Sequence, residues 1–160
     1  MKKLTHVDKD GKATMVDISH KENSIREATV SCSVVLNKNT FELIKSNQIS
    51  KGDVLTVSKL AGIQAAKKTA ELIPLCHPIA IDHIDISFEL DEANYEIYIK
   101  SNVRTKSSTG VEMEAFCACS IAALTVYDMV KAVQRDVSIS DLKLINKKGG
   151  KSGEFNRTDI

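Results

Sequence analysis

The chain predicts an α+β domain of the ferredoxin-like sandwich class: an antiparallel sheet with helices packed on one face, plus an inserted helix. Three observations support this. Residues 81–90 and 95–103 each alternate apolar and polar positions, and Asp91-Glu92-Ala93-Asn94 between them makes a turn, so the two form an antiparallel hairpin. A strand and two helical segments precede that hairpin, and a long apolar helix and a short strand follow it. The resulting order β-α-α-β-β-α-β is ferredoxin-like with one extra helix. At 160 residues, 42% apolar and 27% charged, the chain fits one soluble domain able to bury a sizeable core.

The elements follow in order. Residues 1–27 are polar, carry His6, Asp17, His20 and Arg26, and read as an arm with little regular structure. Residues 28–36 alternate around Val30, Cys32, Val34 and Leu36, a strand with one buried face. Residues 37–46 read as a short helix that Asn39 or Thr40 can cap. A longer helix over 53–73 sets Val54, Val57, Leu60, Ala61, Ala65 and Leu72 near one face. Pro74 and Pro78 then bracket an irregular turn, since neither fits a helix interior. After the hairpin and a loop over 104–110, a helix runs from Glu112 to Val133, and 142–145 is the last strand. The core therefore spans 28–146, and 147–160 is a flexible, basic, glycine-rich tail. There is no internal repeat, low-complexity tract or second domain.

Composition excludes several classes. A formal net charge of +1 supplies no field to recruit nucleic acid or an anionic membrane, and 4% aromatics without Trp cannot build a base-stacking platform. The opening Met1-Lys2-Lys3-Leu4-Thr5-His6 lacks the apolar stretch of a signal peptide. The apolar run 115–127 is short for a membrane span and contains Ser120 and Thr125. Cys32, Cys76, Cys117 and Cys119 are scattered, as in a reduced protein, so a cytoplasmic location is expected.

Three blocks carry the chemistry. Leu75-Cys76-His77-Pro78 holds a thiol and an imidazole on a proline-bracketed turn. Thr109-Gly110-Val111-Glu112-Met113-Glu114-Ala115 opens a helix with two glutamates. Tyr127-Asp128-Met129-Val130-Lys131-Ala132 sets Asp128 and Lys131 at i and i+3, close enough to pair. Each has an ordinary reading beside the functional one. Glu112 and Glu114 complement a helix N-terminus; Asp128 and Lys131 form a surface ion pair, or else a partly buried acid tuned by a cation. Lys51 is a solvated lysine, or a cation at the start of a helix whose free N–H groups favour an anion. The basic stretch around Lys147, Lys148 and Lys151 is a disordered tail, or a flap closing on phosphates. Gly150-Lys151-Ser152 is no P-loop, because residue 145 is Ile where that motif needs Gly.

Helix length adds a constraint. Glu114 and Asp128, fourteen residues apart, lie about 21 Å apart along a helix. No small substrate touches both in one chain, so a shared site needs a partner subunit. The helix between them is apolar nearly all round, which also favours oligomerisation.

These blocks together resemble the cyclic pyranopterin monophosphate synthase family of molybdenum cofactor biosynthesis. So do Met15-Val16-Asp17-Ile18-Ser19, Lys51-Gly52-Asp53-Val54, Ala61-Gly62-Ile63-Gln64-Ala65-Ala66-Lys67, Leu72-Ile73-Pro74 and Gly149-Gly150-Lys151-Ser152-Gly153-Glu154-Phe155. The resemblance covers nearly the full length. It implies a homohexamer, a trimer of dimers with sites at dimer interfaces, acting on a cyclised dihydro-GTP and releasing diphosphate without net redox change. It further implies Asp128 as general acid/base with Lys51 and Lys131 as catalytic partners. Leu75, Cys76, His77, Met113, Glu114, Glu112, Lys67, Lys147, Lys151 and Arg26 are implied to bind substrate. No cofactor and no metal are expected, and transient contact with the upstream radical enzyme follows from the pathway's chemistry.

Two other classes compete. A zinc enzyme would use Cys76, His77, His83 and a helical Cys, but no zinc-site spacing is present and adjacent Cys-His suits one tetrahedral ion poorly. A non-catalytic protein of the same fold is disfavoured because the expected residue types stand in every motif block.

Overall fold

The computed structural model describes residues 7, 10–151 and 153–158; His6 and Ser152 lie outside the described residues. Five strands form one antiparallel sheet in the order β2-β3-β1-β4-β5: β1 Ser24–Val35, β2 His83–Asp91, β3 Glu96–Ser107, β4 Ser138–Lys148 and β5 Phe155–Asn156. The helices are α1 Lys38–Lys45, α2 Val54–Lys67, α3 Thr69–Leu72 and α4 Glu112–Val130. With β3 between β2 and β1, and β4 outside β1, the sheet has the ferredoxin-like order.

Period-two alternation decides which side the helices cover. Ala28, Val30, Cys32 and Val34 of β1 and Ile97, Ile99 and Val103 of β3 are buried beneath α4. The opposite face is polar: Asn102 Nδ2 donates to Glu27 Oε1 (2.9 Å) and Thr29 Oγ1 (3.0 Å). By length and hydropathy α4 could cross a membrane. Its buried residues, Ala115 to Val130, instead make it the central core helix over the sheet.

The buried face of α2 is the expected one only in part. Val57, Leu60 and Leu72 were placed toward the core, yet Leu60 is 59% exposed and Val57 39%. Val54 and Ala65 are buried as expected, but their buried neighbours are Ser58, Gly62 and Ala66. Close approach explains the correction. A Cβ on Gly62 would overlap Ile86 Cδ1 and sit 2.7 Å from the Ala118 carbonyl of α4. Two helices meeting this tightly need small residues at the contact, so the bulky apolar ones are turned outward.

Other boundaries shift for local reasons. Asn37, rather than Asn39 or Thr40, caps α1, its Oδ1 accepting the Thr40 N–H (2.8 Å). The 53–73 helix breaks at Lys68 into α2 and α3. β1 starts at Ser24, inside the expected arm, because residues 24–27 pair with 104–107, read from sequence as loop. β4 begins well before residue 142. Its register against β1 slips at Thr29/Val30 and Ser31/Ser33, and Asp141 has φ of 58°, so the alternation is broken where a strand was sought. The expected flexible tail starts within β4 and returns as β5, pairing Phe155 with Lys147.

Candidate active site

Each end of α4 carries a group of the candidate side chains. At its C-terminal end Asp128 is held between two ammonium groups. Lys131 Nζ lies 2.7 Å from Asp128 Oδ1, and Lys51 Nζ lies 2.8 Å from Oδ2 while also donating to the Asp128 carbonyl (2.7 Å). Gly52, with φ of 101°, turns the chain after Lys51, and Asp53 caps α2 by accepting the Thr56 N–H (3.0 Å). Lys51 therefore faces the negative end of α4 rather than the N-terminus of α2.

Hydrogen bonds from Lys131, then Lys51, pull the Asp128 carboxyl down to about 2, and Asp128 raises Lys131 in return. The expectation of a partly buried Asp128 is not met, since 54% of its side chain is exposed in the single chain. At neutral pH the trio is one carboxylate and two ammonium groups. It offers N–H donors and a net positive charge, while its carboxylate is a weak proton acceptor.

At the N-terminal end of α4 a cavity of about 260 Å³ opens, walled by the proline-bracketed turn, the start of α4 and the arm. Leu75, Cys76 and His77 come from the turn, whose Cys76 N–H donates to the Ile73 carbonyl (3.1 Å). Glu112, Met113 and Glu114 come from the first turn of α4. Gly110 makes room here: a Cβ on it would strike the Glu112 carboxylate. Glu112 is paired with Lys147 of β4 at 2.9 Å.

Glu114 is only 4% exposed, and burial pushes its carboxyl above the ordinary value, with Glu112 adding to the effect. Burial, then Glu114 and Cys117, pushes the Cys76 thiol up, which disfavours the thiolate. His77 and Glu114 also border a second cleft of about 130 Å³ together with Lys67.

The structure thus gathers Leu75, Cys76, His77, Met113, Glu114 and Glu112 in one place, with Lys147 beside them and Lys67 across Glu114. Arg26 and Lys151 border a separate cavity. Lys51, Asp128 and Lys131 stand apart from all of these. Sequence reasoning missed Val16, Ile18 and Lys21, which wall the cavity from the arm. For Val16 and Ile18 the only signal was the block Met15 to Ser19, and Lys21 lies outside it. Among the described residues no three His, Cys, Asp or Glu side chains converge to hold a metal ion.

Comparison with known proteins decides the family. A family model described as "MoaC family" matches residues 15–150. The chain belongs to the MoaC family. It is 49% identical over 159 residues to the cyclic pyranopterin monophosphate synthase of Heliobacterium modesticaldum, covering 99% of this chain and 100% of that protein. To the protein of the same name from Thermoanaerobacter sp. it is 51% identical, over 96% of this chain and 98% of the relative. The human "Molybdenum cofactor biosynthesis protein 1" is 49% identical over 96% of this chain, which spans 24% of that longer protein. The MoaC match encloses both ends of α4 and the arm residues 15–21.

Proposed function

We propose that the chain is a cyclic pyranopterin monophosphate synthase, a lyase of molybdenum cofactor biosynthesis. Its substrate is (8S)-3′,8-cyclo-7,8-dihydroguanosine 5′-triphosphate; its products are cyclic pyranopterin monophosphate and diphosphate. The observation that carries the reading is the clamp of Lys51 and Lys131 on Asp128, on the same helix as a cavity lined by Glu114 and Met113.

The rearrangement opens and rebuilds rings and closes a cyclic phosphate without net redox change, so proton transfer and charge stabilisation suffice. Glu114 and Glu112 accept hydrogen bonds from the guanine-derived N–H groups, and the polarizable Met113 sulfur packs on the ring. His77 and the Cys76 thiol fix its edge. Lys51 and Lys131 donate protons and stabilise charge at the reacting phosphate. Asp128 holds both ammonium groups in place as proton donors, so its acid/base role is exercised through the lysines. Lys67, Lys147, Lys151 and Arg26 serve the anionic substrate.

Because α4 separates its two ends by about 21 Å, each site takes the acidic cavity from one subunit and the Lys-Asp-Lys trio from another. The homohexamer, a trimer of dimers, supplies that arrangement, and the outward Leu60 of α2 and Leu124 of α4, 59% and 52% exposed, are suited to a subunit contact. A cytoplasmic setting is in keeping with the four free thiols.

The test is turnover of enzymatically prepared 3′,8-cyclo-dihydro-GTP, following pyranopterin and diphosphate for wild type, Lys51→Ala and Asp128→Ala. Activity in wild type lost in both variants, with assembly intact, is expected. No turnover by folded wild type refutes the function, and turnover surviving both substitutions refutes the site.

A further inference from the structure

On the face of β3 that packs beneath α4, Ile97, Ile99 and Val103 are buried in an apolar row, and two hydroxyls, Ser101 and Thr105, interrupt it. Both are buried as completely as their neighbours. A buried hydroxyl costs stability unless it is hydrogen-bonded, so each needs a partner. Both find backbone carbonyls, and those carbonyls belong to opposite walls of the acidic cavity.

Ser101 Oγ donates to the Ala115 carbonyl of α4 at 2.7 Å. The Val30 carbonyl, at 3.5 Å, is the more distant acceptor for its one hydrogen. Ala115 directly follows Glu114, and its own N–H bonds the Val111 carbonyl (3.1 Å) as the helix begins. That beginning has no side-chain cap, because Val111 stands at the cap position. Ser101 beneath the first turn, together with the Lys147 ion pair at Glu112, ties it to the sheet instead.

The facing wall hangs from the same strand. Thr105 Oγ1 donates to the Ala80 carbonyl, two residues past Pro78. Asp82 closes this join: its N–H donates to the Arg104 carbonyl (3.0 Å), and its Oδ2 accepts the Lys106 N–H (2.7 Å). The Cys76-His77 turn and the first turn of α4 are thus both fixed to β3. Their two anchors are four residues apart, or about 13 Å along a strand. β3 lies inside the sheet between β2 and β1, which makes it a rigid reference for both.

We propose that Ser101 is a positioning residue of the acidic cavity: through the Ala115 carbonyl it holds Glu114 and Met113 in place against Cys76 and His77. The kinetic consequence rests on the proposed function; the geometric one does not. Without the Ser101 hydroxyl, α4 keeps its internal hydrogen bonds, but its uncapped first turn loses its seat on β3.

The test compares wild type, Ser101→Ala, Ser101→Thr and a control, Ile97→Val, by thermal melting, by turnover and by NMR titration of the Glu114 carboxyl. Ile97 is buried on the same face of β3, four positions from Ser101 on the side away from Thr105, and losing a methyl group there lowers stability alone. Ser101→Ala is expected to lower kcat/KM about tenfold or more, kcat included, since a misplacement of about 1 Å costs up to about hundredfold. The Glu114 midpoint should fall toward the ordinary carboxylate value as water reaches the group. Ser101→Thr keeps the donor and should restore both readouts, while Ile97→Val should melt lower with both unchanged. A Ser101→Ala protein that melts lower yet matches wild type in kcat, KM and Glu114 titration overturns the positioning role. If Ser101→Ala does not fold, Ser101→Cys, near in shape with only a weak S–H donor, is judged by the same outcomes. A wild type without turnover overturns the proposed function and leaves the titration to decide: a Glu114 midpoint unmoved by Ser101→Ala removes the positioning role on its own.

Discussion

Replacing Gly62 by Ala tests the close approach of α2 to α4. The added Cβ would overlap Ile86 Cδ1, and it would lie 2.7 Å from the Ala118 carbonyl oxygen and 3.3 Å from Ala122 Cβ. Ile86 is 1% exposed, so its methyl cannot swing into solvent, and the carbonyl belongs to the backbone of α4. The helices must separate, at the cost of about 1–3 kcal/mol typical of overpacking. Helix propensity works the other way, because Ala is better than Gly in a helix interior by roughly 0.5–1 kcal/mol. The net effect is a destabilisation of about 1–2 kcal/mol, or a Tm lower by roughly 2–8 °C for a domain of this size. Thermal unfolding by circular dichroism at one fixed protein concentration measures it. A Tm equal to or above wild type would show propensity acting alone, and the small-residue contact would be wrong.

Glu114→Gln is expected to abolish turnover yet unfold at or above the wild-type temperature at neutral pH. Its raised carboxyl binds more protons folded than unfolded, so wild-type stability falls as pH rises above the ordinary carboxylate value. The advantage of the variant should grow along that rise and vanish in acid; melts across pH decide it. Asp128→Asn should lower kcat by about 10²–10⁴ with little change in Tm, because exposed ion pairs stabilise little. With the Asp128 carboxyl at about 2, its contribution to stability is complete above pH 3.8 and is lost as pH falls toward 2. A neutral-pH melting shift as large as that of a core substitution would contradict the exposed trio. Leu60→Glu should dissociate subunits, seen as a smaller mass by light scattering; an unchanged mass would place the contact elsewhere.

Fold and site were legible to different depths for physical reasons. The hairpin and α4 could be read because alternation and a long apolar run are local signals. The inner face of α2 could be read only in part: Ser58, Gly62 and Ala66 look like filler beside Val57 and Leu60 until α4 is in place. β4 was shortened because its bulges break the period on which a strand is recognised. The turn at Cys76-His77 and the glutamates at the start of α4 stood out because prolines and paired carboxylates are conspicuous. Lys21 did not, being one lysine in a polar arm, and only the folded chain shows it between two cavities. Asp128 stood out through the resemblance to the family, since its spacing from Lys131 alone also reads as a surface ion pair, and its exposure depends on the fold.

That exposure leads to the final prediction. α4 is one unbroken helix from Glu112 to Val130, so no bending brings Asp128 to Glu114 within a subunit. If catalysis needs both, two individually inactive chains should rescue each other. In a dimer with two interface sites, a pairing of Glu114→Gln with Asp128→Asn puts both lesions in one site and leaves the other intact. Random pairing of equal amounts then restores about a quarter of wild-type sites. Co-expression, or refolding of mixed chains, followed by the turnover assay reads this directly. Recovery near that fraction, absent when the purified variants are mixed without exchange, is expected. Mixed assemblies of confirmed composition that stay inactive would mean that each subunit carries its whole site, and the division of labour along α4 would be wrong.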